Sequence, residues 1–226
     1  MSRAWLQWRR WRARKRATDD SVCRLLSTPL PAADAAIGDV ELVALDMETN
    51  GLDTQNASVL SIGWVVVREG RVDLSSAERW LVSPDEEVGS SATIHGLTDS
   101  HLTDGRDIDE AMARVFEVMA GRVLVVHHAG LDKAILDREC CRLAGVPMHA
   151  PVIDTLALAR VRAARQHHLG GPQSLRLMDL RGDYRLPAYA SHDCLVDALA
   201  TAELLLAMLA HHGDGSDSRV WSVINA

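Results

Sequence analysis

Past the first 38 residues, the apolar positions fall into short dense runs and helical stripes that together predict a sheet with helices around it. VELVALDM (40–47), VLSIGWVVV (59–67) and VDLSSAERWLV (72–82) read as three strands, with the REGR turn at 68–71 joining the last two as a hairpin. Ile108, Met112, Val115, Phe116 and Met119 recur at helical spacing, so 108–119 is predicted as a helix. RVLVV (122–126) is a continuous apolar run of the kind buried in parallel sheets. A helix follows from Gly130 to Ala144, ended by Gly145 with Pro147 beyond it. PVID (151–154) is a short strand, Thr155 to Arg165 a helix, SLRLMDL (174–180) a short helix, and His192 to Ala210 a long one ending near Gly213. Residues 94–98 read as a loop or single helical turn, and QHHLGGP (166–172) as a loop. A three-strand meander followed by helix–strand–helix–strand–helix is α/β with a mixed sheet.

The flanks differ. MSRAWLQWRRWRARKRA (1–17) predicts an amphipathic helix with Trp5, Trp8 and Trp11 at spacing three and Arg on its other faces. Asp19, Asp20 and Ser21 can cap a second short helix through SVCRLLS, and PLPAADAAIG (29–38) reads as a linker. The organisation expected is a basic amphipathic extension and linker over 1–38, a domain over 39–212, and a tail over 213–226 too short and mixed to assign.

Composition narrows this. With 226 residues, 47% hydrophobic and 24% charged, one globular domain is expected. Four cysteines without a CxxC pair predict no disulfide framework and a reducing compartment. No run of about 18 apolar residues predicts a membrane span, and no apolar segment of a signal peptide follows the basic N-terminus, so a cytoplasmic location is expected. The net charge of −7 is unevenly spread: residues 1–18 carry seven Lys and Arg and no acid. The remainder sets 17 basic against 31 acidic residues, a charge of −14. Such a body grips phosphates poorly unless bound cations or local basic patches offset it.

Against that background ALDMETNGLD (44–53) stands out. Side chains at i and i+2 share one face of a strand, so Asp46 and Glu48 project together while Leu45 and Met47 point to the packed side. Two partly desolvated carboxylates this close each tend to take up a proton unless a cation lies between them. The spacing alone equally fits a strand that stops at Leu45, with both acids in a solvated loop. Asp132 falls in the first turn of the helix after a buried strand, where a dipole-complementing acid fits as well as a ligand. Asp197 precedes Ala198, Thr201 and Ala202, small residues that permit close approach to another element; a surface Asp is the plain alternative.

Taken in order, these segments resemble the DEDD 3′–5′ exonuclease superfamily, in particular its branch typified by the proofreading epsilon subunit of bacterial DNA polymerase III. ALDMETNGLD is similar to the family's D-x-E-T-T-G motif, VVHHAGLD to h-x-H-N-x-x-F-D, and HDCLVDALATAELL to H-D-A-x-x-D-A-x-x-T. IHGLTD (94–99) and VIDTLALAR (152–160) resemble secondary signatures of the epsilon-like branch, and the likeness spans residues 39–210. Three positions depart from the pattern: His128 stands for the usual Asn, Leu131 for Phe, and Asn50 for the second Thr. The superfamily divides by H-x4-D or Y-x3-D in its third motif, and YASHDCLVD (189–197) contains both, as His192 with Asp197 and Tyr189 with Asp193. The ALATAELLL register after Asp197, together with IHGLT, assigns the chain to the histidine branch.

The resemblance implies a ribonuclease H-like mixed sheet flanked by helices. It implies Asp46, Glu48, Asp132 and Asp197 as ligands of two divalent cations. An all-oxygen set suits Mg²⁺ or Mn²⁺ over zinc, and two such cations can clamp a scissile phosphate for in-line displacement. His192 is implied as the base that takes a proton from water. The implied reaction is hydrolysis from a 3′ end with release of nucleoside 5′-monophosphates. Thr49, Asn50, Gly51 and Leu52 are implied at the terminal nucleotide, His95 near the scissile phosphate, and His128 on the substrate side. The pairs His127/His128, His167/His168 and His211/His212 lack partners at zinc spacing; His127 is read as structural.

The substrate stays open, with single-stranded DNA ahead of RNA. The alternatives are an RNA-trimming or short-oligonucleotide exoribonuclease, and a non-catalytic polymerase- or repair-associated binding module. The Trp/Arg segment has three readings. It docks on protein (the domain itself, a second copy in a homodimer, or a replication or repair partner), it lies on an anionic membrane, or it holds nucleic acid. Protein docking is the reading favoured here.

Overall fold

The computed structural model describes residues 2–83, 102, 104–165, 174–211 and 215–224. IHGLTD with His95, and the QHHLGGP loop with His167 and His168, lie outside the described residues. Among those described, five strands pair in the order β3-β2-β1-β4-β5: β1 Leu42–Thr49, β2 Val59–Arg68, β3 Arg71–Leu81, β4 Val123–Val126 and β5 Val152–Asp154. The first three form an antiparallel meander, and β1, β4 and β5 run parallel. The central strands explain their own composition. β2 is buried along nearly its whole length and β4 throughout, so neither shows polar alternation, whereas the edge strand β3 keeps polar residues such as Asp73 and Ser75.

Helices cover both faces. On one side lie α2 (Asp20–Ser27), α3 (Ile108–Met119) and α4 (Ala129–Ala144), packed over Val43, Leu45, Met47, Ile62 and Trp64, while α1 (Arg3–Arg14) gives Ala13 to this core and Leu6 to the one on the opposite face. On the other lie α5 (Thr155–Arg165), α6 (Leu177–Asp183), α7 (Cys194–His211) and α8 (Val220–Ile224), over Leu42, Ala44, Val65 and Val125. The alternation of β1 therefore sends Leu45 and Met47 to the α4 side and Asp46 and Glu48 to the side of α7. This is the mixed, helix-flanked sheet expected from the sequence. By length and composition α7 is apolar enough to cross a bilayer, although Asp197 and Glu203 interrupt its apolar run. Its Leu204, Leu205 and Met208 are core residues of the sheet, and its first turn carries Asp197.

The N-terminal segment shares the core with the domain. Asp19 caps α2 by accepting from Val22 N at 3.0 Å, and Val22, Leu25 and Leu26 are buried with Phe116 and Met119. Arg10 is buried: its Nη2 donates to the carbonyls of Leu25 and Thr28, and its Nη1 to that of His149 at 3.1 Å. Burial lowers its pKa to about 10, so the guanidinium stays charged among carbonyls. The face of α1 that meets the domain is thus Leu6, Arg10 and Ala13. Docking of the tryptophans on the domain is overturned: Trp5, Trp8 and Trp11 are 44%, 50% and 56% exposed. Covering Leu6 and Arg10 leaves the opposite stripe of the helix in solvent. The tail, unassigned from the sequence, carries α8. Val220, Trp221 and Val223 are buried, and Trp221 Nε1 donates to Ala32 O at 3.1 Å, tying α8 to the linker.

Candidate metal centre

β1 carries the first two carboxylates to the sheet's carboxyl edge, and a bulge falls immediately after them. Glu48 pairs with Ser61 but Thr49 with Val59, so the strand bends just where its side chains are to be aimed. Beyond the bulge, Asn50 closes the loop, donating its N–H to Ser58 O at 3.1 Å and accepting from Ser58 N through Oδ1 at 2.7 Å. Thr49 Oγ1 donates to Gly51 O at 2.7 Å, and Leu52 is 85% exposed at the loop's tip.

The third carboxylate comes from α7, and a glycine brings it in. Asp46 pairs with Gly63 on β2. A Cβ at Gly63 would lie 2.4 Å from Leu195 N and 2.5 Å from Cys194 C, so the first turn of α7 rests directly on the strand backbone. Asp193 caps that turn. Its Oδ1 accepts from Leu195 N at 3.0 Å and its Oδ2 takes a salt bridge from Arg79 at 2.8 Å. One turn on, Asp197 reaches the site. Carboxylate oxygens of Asp46, Glu48 and Asp197 lie within 4.8 Å of one another. Asp197 Oδ2 accepts the His192 backbone N–H at 2.8 Å, while its Oδ1 is buried without a hydrogen-bond partner.

Asp132 enters from the opposite side, in the first turn of α4, and is 3% exposed. It stands outside the trio's radius, with its carboxyl held by the Met47 N–H and by its own. Asp154 fixes that turn by accepting from His128 N and Ala129 N, both at 3.0 Å, and from Leu156 N at 2.9 Å. This carboxylate was not singled out in the sequence; an acid ending an apolar parallel strand, next to the turn that carries Asp132, was its signal.

Four acids in so small a space raise one another's pKa. Burial first, then the charges of Asp132, Asp197 and Glu48, hold Asp46 well above the usual carboxylate range. Burial and then Asp197 and Asp193 push Glu48 to about 7, with Arg79 pulling the other way. Asp132 is pushed to about 8, chiefly by burial and further by Asp154 and Glu48. Burial also raises Asp197, against the His192 N–H that lowers it. Clustered acids of this kind, one of them with an orphaned oxygen, fit a divalent cation, which would satisfy Asp197 Oδ1 and remove the mutual repulsion.

A cleft of about 890 Å³ opens beside the acids, lined by His128, Arg176, Met178, Ser191, His192 and Asp197 among others. His192 is exposed in it and takes a left-handed backbone, φ 70°. His128, φ 87°, faces the same cleft as the N-cap of α4. His127 is anchored instead: Nε2 donates to Leu175 O at 3.1 Å and Nδ1 meets Thr155 Oγ1 at 2.8 Å, with burial lowering its pKa. Tyr189, the rival to His192 in the third motif, donates its hydroxyl to Glu203 at 3.2 Å and stacks under Arg181.

A family model described as Exonuclease (RNase T) matches residues 43–205. Among curated relatives, the DNA polymerase III subunit epsilon of Treponema pallidum is 31% identical over 175 residues, 76% of this chain and 78% of that protein. The PolC-type DNA polymerase III of Thermotoga maritima is 30% identical over 174 residues, again 76% of this chain but only 12% of that protein. Among solved structures, exonuclease X in complex with 5′ overhanging duplex DNA aligns with a TM-score of 0.61 at 23% identity, covering 81% of this chain and 99% of that one. The E. coli exonuclease I complex with single-stranded DNA aligns with a TM-score of 0.66 at 15% identity, over 81% and 42%. Both structural likenesses speak to the fold.

Proposed function

The chain belongs to the RNase T exonuclease family, and from that premise we propose that it removes nucleotides from the 3′ end of single-stranded DNA, releasing nucleoside 5′-monophosphates. The observation that carries the reading is the trio Asp46, Glu48 and Asp197, with the unpartnered Asp197 Oδ1 beside a cleft that holds His192. Asp46, Glu48, Asp132 and Asp197 would hold two divalent cations, Mg²⁺ or Mn²⁺, which when bound neutralise phosphate charge and acidify water. His192 is the base: its exposed ring in the cleft accepts the water's proton, and its backbone N–H orients Asp197. The engagement of Tyr189 with Glu203, and of Asp193 with Arg79 and the helix cap, supports the histidine branch over the tyrosine one.

Thr49, Asn50, Gly51 and Leu52, at the end of β1 and in the loop after it, are assigned to the terminal nucleotide, with the exposed Leu52 offering an apolar surface to a base. His128, in the lining of the cleft, is assigned to the substrate, and so is His95 on its sequence motif alone. DNA is placed ahead of RNA because relatives near 30% identity carry DNA polymerase names. The test is a digest of 3′- and 5′-labelled single strands, DNA and RNA, with Mg²⁺, Mn²⁺ or chelator. Mononucleotide release from the 3′ end of DNA is expected, abolished by chelator and lowered on the order of a thousandfold by Asp46→Asn. Turnover that resists the chelator, or survives Asp46→Asn, would overturn the mechanism. Faster release from RNA would move the substrate to the exoribonuclease alternative.

A further inference from the structure

The site leaves the N-terminal helix unused. With Leu6, Arg10 and Ala13 turned into the domain, the outward stripe of α1 interleaves Trp5, Trp8 and Trp11 with Arg9, Arg12, Lys15 and Arg16. Arg9 lies 4.7 Å from the Trp5 ring centre, Arg12 4.8 Å from that of Trp8, and Lys15 3.7 Å from that of Trp11. Among the described residues none of these four cations is in an ion pair, although Arg24, Arg79, Arg106, Arg114 and Arg142 elsewhere on the surface are. Between this stripe and the turn after α4 lies a groove of about 380 Å³, lined by Trp5, Trp8, Arg9, Arg12, Pro147 and His149 among others.

The pattern separates the candidate occupants. A helix lying in a bilayer surface needs an apolar face apart from its basic one. Here the apolar residues opposite the tryptophans are already buried, and the exposed face mixes rings with cations. Alternating cations and aromatic faces along an open groove match a single strand, whose phosphates take the charges and whose unstacked bases take the rings. The charge complementarity is local, since the seven basic and no acidic residues of 1–18 sit on a body of charge −14.

We propose that the exposed Trp/Arg face of α1 is a second, non-catalytic binding surface for single-stranded nucleic acid. It lies at the far end of α4 from Asp132, and a 16-residue helix spans about 24 Å. A strand held there is anchored well away from the reacting end. The purpose of this surface rests on the nuclease reading, but its test does not.

Binding of a fluorescent oligothymidylate of about 16 nucleotides to the full chain is measured in chelator, where hydrolysis is blocked. Replacing Trp5, Trp8 and Trp11 together by Ala, which keeps the helix because Ala has the highest propensity for it, is expected to weaken binding on the order of tenfold or more and to abolish tryptophan quenching by the strand. Arg9→Gln, Arg12→Gln, Lys15→Gln and Arg16→Gln combined is expected to lower the slope of log affinity against log salt by about 3. Circular dichroism confirms that each variant is folded. Unchanged affinity in the folded Trp variant overturns the proposal. So does a wild-type chain that binds anionic phosphatidylserine vesicles through these tryptophans and not the strand, or that dimerises through them in sedimentation while strand binding stays intact. Strand binding through this face in a protein without digest activity would sink the nuclease reading alone.

Discussion

His192 holds an exposed ring at the cleft from a backbone conformation that non-glycine residues adopt at some cost, φ 70°, and that cost is met by its N–H bond to Asp197. Tyr189, three residues earlier, is spent on Glu203 and Arg181. The two branch assignments therefore separate at single residues. His192→Ala is expected to lower kcat by about 10²–10⁴ while leaving affinity for the strand in chelator nearly unchanged. Tyr189→Phe is expected to cost no more than about 1 kcal/mol of stability, from one lost hydrogen bond, and to leave kcat within about twofold. Single-turnover assays on both variants decide it: loss of kcat in Tyr189→Phe with His192→Ala active would transfer the base to the other motif. Asp193 belongs at this scale too. It lies close enough to raise Glu48, yet its oxygens are taken by Arg79, Leu195 N and Val196 N, which fits a cap and not a ligand.

At the scale of elements, the site depends on how closely α7 lies on β2. A methyl at Gly63 would meet backbone atoms of Cys194 and Leu195, which cannot yield as a flexible side chain can, so the helix must move and carry Asp197 with it. Gly63→Ala is expected to destabilise by about 1–3 kcal/mol in urea unfolding and to lower kcat more than tenfold. Gly182→Ala, at the end of α6 with nothing within 4 Å of the new methyl, should instead hold or gain a few tenths of a kcal/mol. A Gly63→Ala protein of wild-type stability and activity would refute the close-approach argument. This pair also shows what the sequence could carry. The strands and α3 were legible because burial writes itself as period and run length, and the acids that the fold gathers, Asp46, Glu48 and Asp197, were picked out by the order of their motifs. Nothing in the sequence marks Gly63, since what crosses it lies 131 residues away. The stripe of α1 that packs inward was misjudged because three tryptophans outweigh Leu6 and Ala13 in any hydrophobic count, while the deciding residue, Arg10, is buried through carbonyls supplied by distant turns. Helix α8 was missed because five residues carry too short a period, and its burial depends on the linker that meets Trp221.

For the whole molecule, the acidic site is expected to make stability depend on pH and on cations together. Glu48, pushed to about 7, and Asp132, pushed to about 8, bind a proton more tightly folded than unfolded. The stability they contribute is fully present below their unfolded values near 4 and is lost as pH rises through 7 and 8. Carboxylates lowered by Arg partners, such as Glu41 with Arg68 and Arg122, act in the other direction and mostly below pH 4.5, outside this window. His127 and His149 do fall inside it. Burial lowers both, so each adds stability as pH rises and opposes the carboxylates. The absolute Tm of the cation-free protein therefore mixes two signs, but the difference from Glu48→Gln does not. In chelator, Glu48→Gln is expected to gain stability relative to wild type as pH rises from 5 to 8, because the wild-type residue alone must ionise beside Asp197. Adding Mn²⁺ should reverse the order at pH 8. Cation at about a hundred times its Kd adds about 2.7 kcal/mol to the wild type, or roughly 5–11 °C in Tm for a chain of this size, and less to a variant lacking one ligand. At pH 5, where protons compete for the same oxygens, the cation-induced shift should shrink. Scanning calorimetry of both proteins at the two pH values, with chelator or Mn²⁺, reads all of these differences at once. A cation-induced shift of equal size at pH 5 and pH 8, or one unaffected by Glu48→Gln, would mean that the ion binds elsewhere and that the trio is not its seat.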